Sequence, residues 1–162
     1  MKLLILIMIS IGLSANIGTL KKVVDGDTLY FNNNKCRIAY IDTPESKPNK
    51  KAKRDTERCK NLTLDTMIKI GKDSAEHAKT LVKIGKQYKY DVIGTDRYKR
   101  SICIVYTPEG IFNELMVKDG YAMPYVQYLP DNLKRKYLLY VKDAKHQSLG
   151  LWRKYNLDCI GK

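Results

Sequence analysis

The stretch GTLKKVVDGDTLYFNNNKCRIAYI, residues 18–41, decides the fold. Asp25-Gly26 is a strong tight-turn dipeptide, and the asparagines at 32–34 give a second turn signal. Mostly apolar runs flank the two turns: Leu20–Val24, Thr28–Phe31 and Cys36–Ile41. The pattern predicts three consecutive strands, and the third run is typical of a strand covered on both faces.

The rest of the chain predicts two more strands and three helices. Residues 46–58 are Lys-rich and nearly free of apolar side chains, which predicts an exposed, mobile loop, and residues 61–70 are ambiguous, with a short helix as one option. The other elements are a helix from about Asp73 to Ile84, strands at Tyr88–Ile93 and Ile102–Tyr106, a short helix at Asn113–Asp119 and a last helix from near Asp131. Five short strands with helices after the third and fifth predict an α+β, mainly β domain built on a small, partly open OB-type barrel.

The first fifteen residues have the layout of a secretory signal peptide. Lys2 supplies a positive start, Leu3–Leu13 is almost unbroken apolar, and Leu13-Ser14-Ala15 offers small residues before a cleavage point. The apolar run is well short of the roughly 20 residues that span a bilayer. An uncleaved membrane anchor and a buried first strand are the alternatives. We expect a secreted or periplasmic protein in which residues 16–162 form one domain, with no membrane association once the leader is removed.

Charge points to polyanionic partners. Thirty Lys and Arg against seventeen Asp and Glu give a formal net charge of +13, one unit less without Lys2. Such a field raises the local concentration of polyanions in a salt-dependent way, so nucleic acid is the first candidate partner. Acidic lipid or polysaccharide is the second candidate, and a merely soluble cationic protein is the plain alternative.

The four cysteines are Cys36, Cys59, Cys103 and Cys159. An even count in an exported chain permits two disulfides with three possible connectivities, and the absence of a CxxC pair argues against a zinc site. Two of the cysteines lie in apolar, strand-like runs and two in polar, loop-like ones, which favours the pairs 36–103 and 59–159. Free, buried cysteines are an equal alternative for the first pair.

Four acidic residues flank the predicted turns of this basic chain: Asp25, Asp27, Asp42 and Glu45. If the two turns meet at one end of the barrel, the carboxylates converge and repel one another unless a cation lies between them. Carboxylates with a main-chain carbonyl are hard ligands suited to Ca²⁺ or Mg²⁺. Ordinary turn chemistry is the alternative for either segment alone.

Two arginines complement these acids. Arg37 lies inside an apolar strand, where a guanidinium is costly to bury without an anionic partner. A planar, permanently charged fork suits a phosphate whose oxygens gain negative charge during cleavage. Five residues of straight strand would hold Arg37 roughly 16 Å from Asp42, so a structural pairing with another acid is the alternative. Arg100 lies in the cationic loop from Asp96, a weak signal for phosphate contact by itself.

The chain resembles the staphylococcal nuclease (thermonuclease) family in an ordered set of motifs from about Thr19 to Trp152: Asp25-Gly26-Asp27-Thr28, Arg37, Asp42-Thr43-Pro44-Glu45, Asp96-x-Tyr98-x-Arg100 and Gly150-Leu151-Trp152. The resemblance implies an OB-fold, five-stranded Greek-key barrel with three helices. It also implies Ca²⁺-dependent hydrolysis of DNA and RNA, leaving 3′-phosphate ends.

The resemblance also implies roles for single residues. The implied metal ligands are the carboxylates of Asp27 and Asp42 and the carbonyl of Thr43, with Asp25 as a supporting acid. The implied catalytic residues are Glu45, which orients or deprotonates the attacking water, and the phosphate clamp Arg37 and Arg100. The implied substrate-binding residues are Arg97, Tyr98, Tyr125 and Tyr128, although tyrosines in the last stretch are equally compatible with core or base-stacking positions.

The chain departs from the family pattern in two places. Lys99 stands where a glycine is usual before the second arginine, which alters the loop backbone but keeps its charge. Residues 46–71 are longer and more basic than in the prototype, so they either widen the substrate footprint or form an inert loop.

The sequence is compatible with three functions. The first is an exported, metal-dependent nuclease that acts as a monomer on DNA and RNA, with no stable protein partner. The second is a catalytically inactive nucleic-acid-binding OB module, which would be free to lose the carboxylates and arginines that this chain retains. The third, a cationic surface-binding or structural protein, explains the charge but not the acidic turns.

Overall fold

The computed structural model describes residues 16–32 and 34–160. The predicted signal peptide, residues 1–15, lies outside the described residues, as do Asn33 and residues 161–162. Within the described ranges, no helix is long and apolar enough to cross a membrane.

A closed β-barrel organises the domain. The strands are β1 (Asn16–Asp25), β2 (Thr28–Phe31), β3 (Asn34–Ile38), β4 (Ile41–Asp42), β5 (Gln87–Thr95), β6 (Ser101–Thr107), β7 (Gly110–Ile111) and β8 (Met123–Pro124). The main sheet has the order β3-β2-β1-β5-β6-β7, and β3 also pairs with β6 in parallel. That second pairing closes a five-stranded barrel, which confirms the predicted OB-type architecture.

Helices pack around this barrel. They are α1 (Lys50–Arg58), α2 (Leu64–Leu81), α3 (Phe112–Lys118) and α4 (Asp131–His146), with short 3₁₀ turns at Val126–Tyr128 and Gly150–Arg153. The predicted helices near the positions of α3 and α4 are confirmed. The described part of the chain therefore holds four α-helices, and α1 is additional to the three that were expected.

Helix α1 replaces the mobile loop predicted for residues 46–58, and that prediction was wrong. The Asn49 side chain caps the helix by accepting a hydrogen bond from the Ala52 amide at 2.8 Å. The residues that α1 buries are Ala52 and Asp55. Because its inner face is one small residue and one acid, the helix lacks the apolar stripe by which a sequence pattern is recognised.

Helix α2 is longer than predicted and begins earlier. It begins at Leu64, where the Thr63 hydroxyl accepts from the Thr66 amide at 3.2 Å, and it ends at Leu81 because Val82 is extended. The predicted boundaries, about Asp73 to Ile84, were wrong at both ends. The apolar residues on the first half of α2 belong to the ambiguous segment 61–70. The apolar pattern of that segment was too short to assign it to a helix by itself.

The predicted strand Cys36–Ile41 is in fact two strands, β3 and β4. Tyr40 has a φ of 69°, in the left-handed region, and the chain changes direction there. Strand β4 then pairs with β8 instead of the barrel sheet, with Ile41 opposite Pro124. This reversal determines where Asp42 lies, as described below.

Both predicted disulfides are confirmed. Cys36–Cys103 joins β3 to β6 within the main core, where both residues are fully buried. Cys59–Cys159 joins the end of α1 to the C-terminal segment inside a second apolar cluster. The helix that the sequence did not predict is therefore covalently anchored.

Replacing Cys59 and Cys159 together with alanine is expected to destabilise the protein by about 2–5 kcal/mol, because the bond closes a long loop in the unfolded chain. The two cysteines are separated by 100 residues in sequence. Equilibrium unfolding in urea under non-reducing conditions measures the change. An unchanged unfolding midpoint would show that the bond does not restrain the unfolded state.

Candidate active site

Asp27 lies in the turn between β1 and β2 and is buried. Its Oδ2 accepts hydrogen bonds from the Thr43 amide at 2.8 Å and the Thr43 hydroxyl at 2.9 Å. Its Oδ1 accepts from the Thr28 hydroxyl at 3.1 Å. These bonds join the first turn to the segment after β4, so the two acidic motifs meet at one end of the barrel, as the sequence predicts.

Arg37 bridges the two acidic motifs. Its Nη1 lies 3.1 Å from Asp27 Oδ2, and its Nη2 donates to Asp42 Oδ1 at 3.0 Å. The separation expected for a straight strand was wrong because the chain reverses at Tyr40. Arg37 is thus both a structural partner of two acids and, with 14% of its side chain exposed, a cation at the surface of the cluster. A guanidinium held at both ends has a fixed direction, as a phosphate clamp requires.

Glu45 lies just beyond these acids and is more accessible to water. Its Oε2 accepts a hydrogen bond from Asn49 Nδ2 at 2.7 Å, and 22% of its side chain is exposed. Asp25 Oδ1 accepts from the amide of Ser46 at 3.2 Å and also from the Ser46 hydroxyl. Asp25 therefore fastens the segment that carries Glu45.

Lys51 of α1 brings a second cation into the cluster. Its Nζ donates to the Thr43 carbonyl at 2.9 Å and to Asp55 Oδ2 at 2.7 Å. The same atom lies 3.2 Å from Asp42 Oδ2 and 4.0 Å from Glu45 Oε1. The acids on this end of the barrel are thus compensated by Arg37 on one side and Lys51 on the other.

These neighbours shift the ionisation of the acids in different directions. Burial by itself raises the pKa of Asp27, but the charges of Arg37 and Lys51 and the bonds from Thr43 outweigh it, and the net shift is downward. Burial raises the pKa of Asp42, and the nearby Asp27 charge adds to the increase. Burial and the Asp27 charge also hold the pKa of Glu45 above its ordinary value. Additional positive charge at this cluster is therefore favourable.

The donor set suits a hard cation, although another cation is already present. In the described ranges, no group of three His, Cys, Asp or Glu side chains is arranged to hold a metal ion. A carboxylate oxygen of Asp42 and the Thr43 carbonyl do converge on one positive atom, the ammonium of Lys51. Oxygen ligands of this kind are those that Ca²⁺ and Mg²⁺ take. Asp27 is joined to them through Arg37 and directs its oxygens to Thr28 and Thr43.

Arg100 lies at the end of the loop between β5 and β6. Its Nε donates to Asp96 Oδ2 at 2.7 Å, and its amide donates to Asp96 Oδ1 at 2.9 Å. Ser101 and Ile102 lie opposite Cys36 and Arg37 in the parallel β3–β6 pair, so Arg100 immediately precedes the part of β6 that runs beside Arg37. Within the described residues, Arg100 makes no ion pair with the acid cluster. The structure thus brings Arg100 to the start of the strand that pairs beside Arg37.

The predicted substrate-binding side chains form two groups, and each has one well-exposed tyrosine. The guanidinium groups of Arg97 and Arg100 lie 4.8 and 5.6 Å from the centre of the Tyr98 ring, and Tyr98 is 65% exposed. Tyr125 and Tyr128 pack edge to face with ring centres 4.7 Å apart. The group at Tyr98 offers aromatic surface beside positive charge, which suits nucleotide contacts, and the second pair offers aromatic surface alone.

Tyr125 is the nearer of the two tyrosines to the acid cluster. Its amide donates to the carbonyl of Tyr40 at 2.8 Å, directly beside the chain reversal that positions Asp42. It is also among the groups that influence the ionisation of Arg37. Tyr128 remains 65% exposed at the rim. A core position for Tyr128 is excluded, and Tyr125 lies at the border of the candidate site.

Sequence reasoning missed the contributions of Asn49, Lys51 and Asp55. Each had a local signal: an asparagine three residues before Ala52 is a typical N-cap, and Lys51 and Asp55 have the i,i+4 spacing of a helical ion pair. The many neighbouring lysines made these signals indistinguishable from those of a solvated basic loop.

Comparisons with known proteins find one matching family model and several related endonucleases. Residues 35–154 match the family model described as staphylococcal nuclease homologue. An uncharacterized endonuclease of Haemophilus influenzae is 29% identical over 140 residues, which cover 83% of this chain and 65% of that protein. An SPbeta prophage-derived endonuclease of Bacillus subtilis is 31% identical over 147 residues, covering 84% of this chain and 44% of that protein. A thermonuclease of Staphylococcus intermedius is 26% identical over 141 residues, covering 83% of this chain and 74% of that protein.

The barrel and its acid cluster therefore define an OB-fold domain of the nuclease type. The chain belongs to the staphylococcal nuclease family, because the family model spans most of its length. The chain spans less than two thirds of the Haemophilus and Bacillus relatives that it matches.

Proposed function

We propose that this chain is a calcium-dependent phosphodiesterase that hydrolyses DNA and RNA to products with 3′-phosphate ends. One observation carries the proposal most strongly: the Arg37 guanidinium, fixed between two buried acids, is within electrostatic reach of the more accessible carboxylate of Glu45. A phosphate-binding cation next to a water-accessible carboxylate is what hydrolysis of a phosphodiester needs. Membership of a nuclease family supports the same reaction.

Each residue has a distinct part in the proposed reaction. Asp27, Asp42 and the Thr43 carbonyl would hold Ca²⁺, which when bound neutralises charge and orients the phosphate. Glu45, positioned by Asn49, orients or deprotonates the attacking water.

The positive groups act on the substrate. Arg37 and Arg100 contact the scissile phosphate, with Arg100 exchanging its bond to Asp96 for one to the phosphate. The exposed Tyr98 and Tyr128 and the partly buried Tyr125 contact the nucleotide, and the net positive charge attracts the polymer. We also propose that the protein is exported by means of residues 1–15 and acts as a monomer.

End-group chemistry tests the proposed reaction. Purified, disulfide-bonded protein is incubated with DNA and RNA oligonucleotides in Ca²⁺, and the products are tested as primers for a polymerase. Fragments are expected to be extended only after phosphatase treatment, because a 3′-phosphate blocks extension. Fragments that extend without phosphatase would contradict the product assignment. A gel shift with no cleavage would instead identify a binding-only OB module.

Gly71 of α2 provides a further test, because it lies against the main chain of Glu45. A Cβ at this position would be 2.2 Å from the Glu45 carbonyl oxygen. Gly71→Ala is expected to lower kcat for DNA cleavage by at least about tenfold, since small displacements of a catalytic group reduce rates strongly. It is also expected to lower the melting temperature, although alanine favours an exposed helix interior by about 1 kcal/mol.

Cleavage rates and thermal unfolding of Gly71→Ala are compared with those of Glu76→Ala, an exposed substitution on the same helix. The control is expected to match the unmodified protein. A Gly71→Ala protein that is fully active and more stable would show that the contact does not position Glu45.

A further inference from the structure

The ammonium of Lys51 lies at a point where oxygens from three residues converge. Thr43 O, Asp55 Oδ2 and Asp42 Oδ2 are 2.9, 2.7 and 3.2 Å from Nζ. Glu45 Oε1 is more distant, at 4.0 Å. The arrangement of two carboxylates and a main-chain carbonyl around one positive atom has the chemistry of a hard-cation site.

Asp55 enters this shell from α1, which carries none of the motifs on which the family resemblance rests. Its residue is 3% exposed, and its partner Lys51 lies one helical turn earlier on α1. Asp42 and Asp55 are both buried and both contact the same ammonium. Without a cation between them, their carboxylates would repel each other in a poorly solvated position.

Arg37 does not fill this position. It binds Oδ1 of Asp42, so Oδ2 of the same carboxylate faces Lys51. The two cations therefore use opposite oxygens of Asp42. A divalent ion that ligates Asp42 Oδ2 and the Thr43 carbonyl would need the place that the ammonium holds.

The helix that carries Lys51 is fixed at both ends. Asn49 caps its start and also binds Glu45, and the residue after its end, Cys59, is bonded to Cys159. The ammonium is thus held in place by an anchored helix, and its side chain has enough rotatable bonds to move the charge while the helix stays fixed. The 23% exposure of the Lys51 side chain gives it an exit to solvent.

We propose that Lys51 is a tethered cation that a divalent metal ion must displace, and that Asp55 then serves as an additional carboxylate ligand from α1. The inference rests on the proposed function only in that it places the metal at Asp42 and Thr43. It assigns α1 the control of metal affinity: the ammonium stabilises the acids when calcium is scarce and leaves when calcium is abundant.

Calcium binding by variants tests this proposal without reference to cleavage. Isothermal titration compares the unmodified protein with Lys51→Met, which keeps the side-chain length and removes the charge. The Kd for Ca²⁺ is expected to fall by at least about tenfold, because a competing positive charge within bonding distance of the ligands is removed. Lys53→Met, an exposed lysine on the same helix, is the control and is expected to leave the Kd nearly unchanged. Adding Asp55→Asn to Lys51→Met is expected to reverse most of the gain.

A Lys51→Met protein that binds Ca²⁺ no more tightly than the unmodified protein would overturn the competition, and an unaltered gain in the double variant would overturn the role of Asp55. Circular dichroism in chelator verifies that each variant is folded.

A second measurement uses the unmodified protein. The acylation rate of Lys51, followed by mass spectrometry, is expected to rise severalfold on addition of Ca²⁺ relative to that of Lys53, and an unchanged ratio would overturn the displacement.

The calcium-binding and acylation measurements can fail or succeed independently of the proposed nuclease activity. Tighter binding by Lys51→Met in a protein that never cuts nucleic acid supports the inference and refutes the nuclease. If the unmodified protein cuts nucleic acid only with Ca²⁺ and Lys51→Met binds Ca²⁺ no more tightly, the nuclease is supported and the inference is refuted.

Discussion

Arg37→Ala is expected to lower kcat for DNA cleavage by at least about 10²–10³-fold, the usual loss when one preorganised charge is removed from a transition state. The reason is geometric as well as electrostatic. Both guanidinium ends are held, by Asp27 and Asp42. The fork is therefore in place before substrate arrives. The loss is measured as single-turnover cleavage of a labelled oligonucleotide.

Two further variants show whether a slower Arg37→Ala protein has lost catalysis or stability. Removing Arg37 leaves two buried carboxylates with less compensation, so thermal unfolding is recorded for each variant. Arg37→Lys keeps the charge without the bidentate fork and is expected to recover stability more than rate. Arg135→Ala, an exposed arginine on α4, is the matched control. If Arg37→Ala is folded and cleaves at the unmodified rate, Arg37 does not act on the phosphate.

Glu45→Gln is expected to lower kcat by about 10²–10⁴-fold, the range typical of a lost general base, with a smaller effect on KM. The amide has the same size as the carboxylate and can still pair with Asn49, so the surrounding structure is retained. The measurement is the rate of plasmid cleavage in saturating Ca²⁺ over a range of DNA concentrations.

Glu109→Gln, in the turn between β6 and β7, removes the same charge from an exposed position and is expected to behave like the unmodified protein. An unimpaired Glu45→Gln enzyme would exclude Glu45 from activating the water. A rise in KM with unchanged kcat would assign Glu45 to substrate binding instead.

The sequence predicted the barrel because its strands carry strong local signals. The turn at Asp25-Gly26 and the apolar runs on either side determine the first strands with little help from distant residues. Helix α1 was missed because its stability comes from contacts distant in sequence, including the Cys59–Cys159 bond. From its composition alone, such a helix cannot be distinguished from a solvated basic loop.

The candidate site also contains some residues that the sequence reveals and others that only the folded structure brings together. Asp27 and Asp42 lie beside turns, where the pattern of the sequence reveals them. The contact of Arg37 with Asp42 depends on the left-handed Tyr40, a conformation that a tyrosine rarely adopts and that no local pattern indicates. Lys51 reaches the acids only because α1 folds back over them. Such positions follow from the packed structure and not from the order of residues.

Calcium-dependent cleavage by the unmodified protein tests the central claim most directly. Nicking of supercoiled plasmid is followed in Ca²⁺-buffered solutions, in excess chelator, and after Ca²⁺ is restored. The proposed site predicts a rate that saturates with Ca²⁺, falls to background in chelator and returns on restoration. Equal cleavage in chelator would contradict a metal-dependent nuclease at Asp27, Asp42 and Glu45.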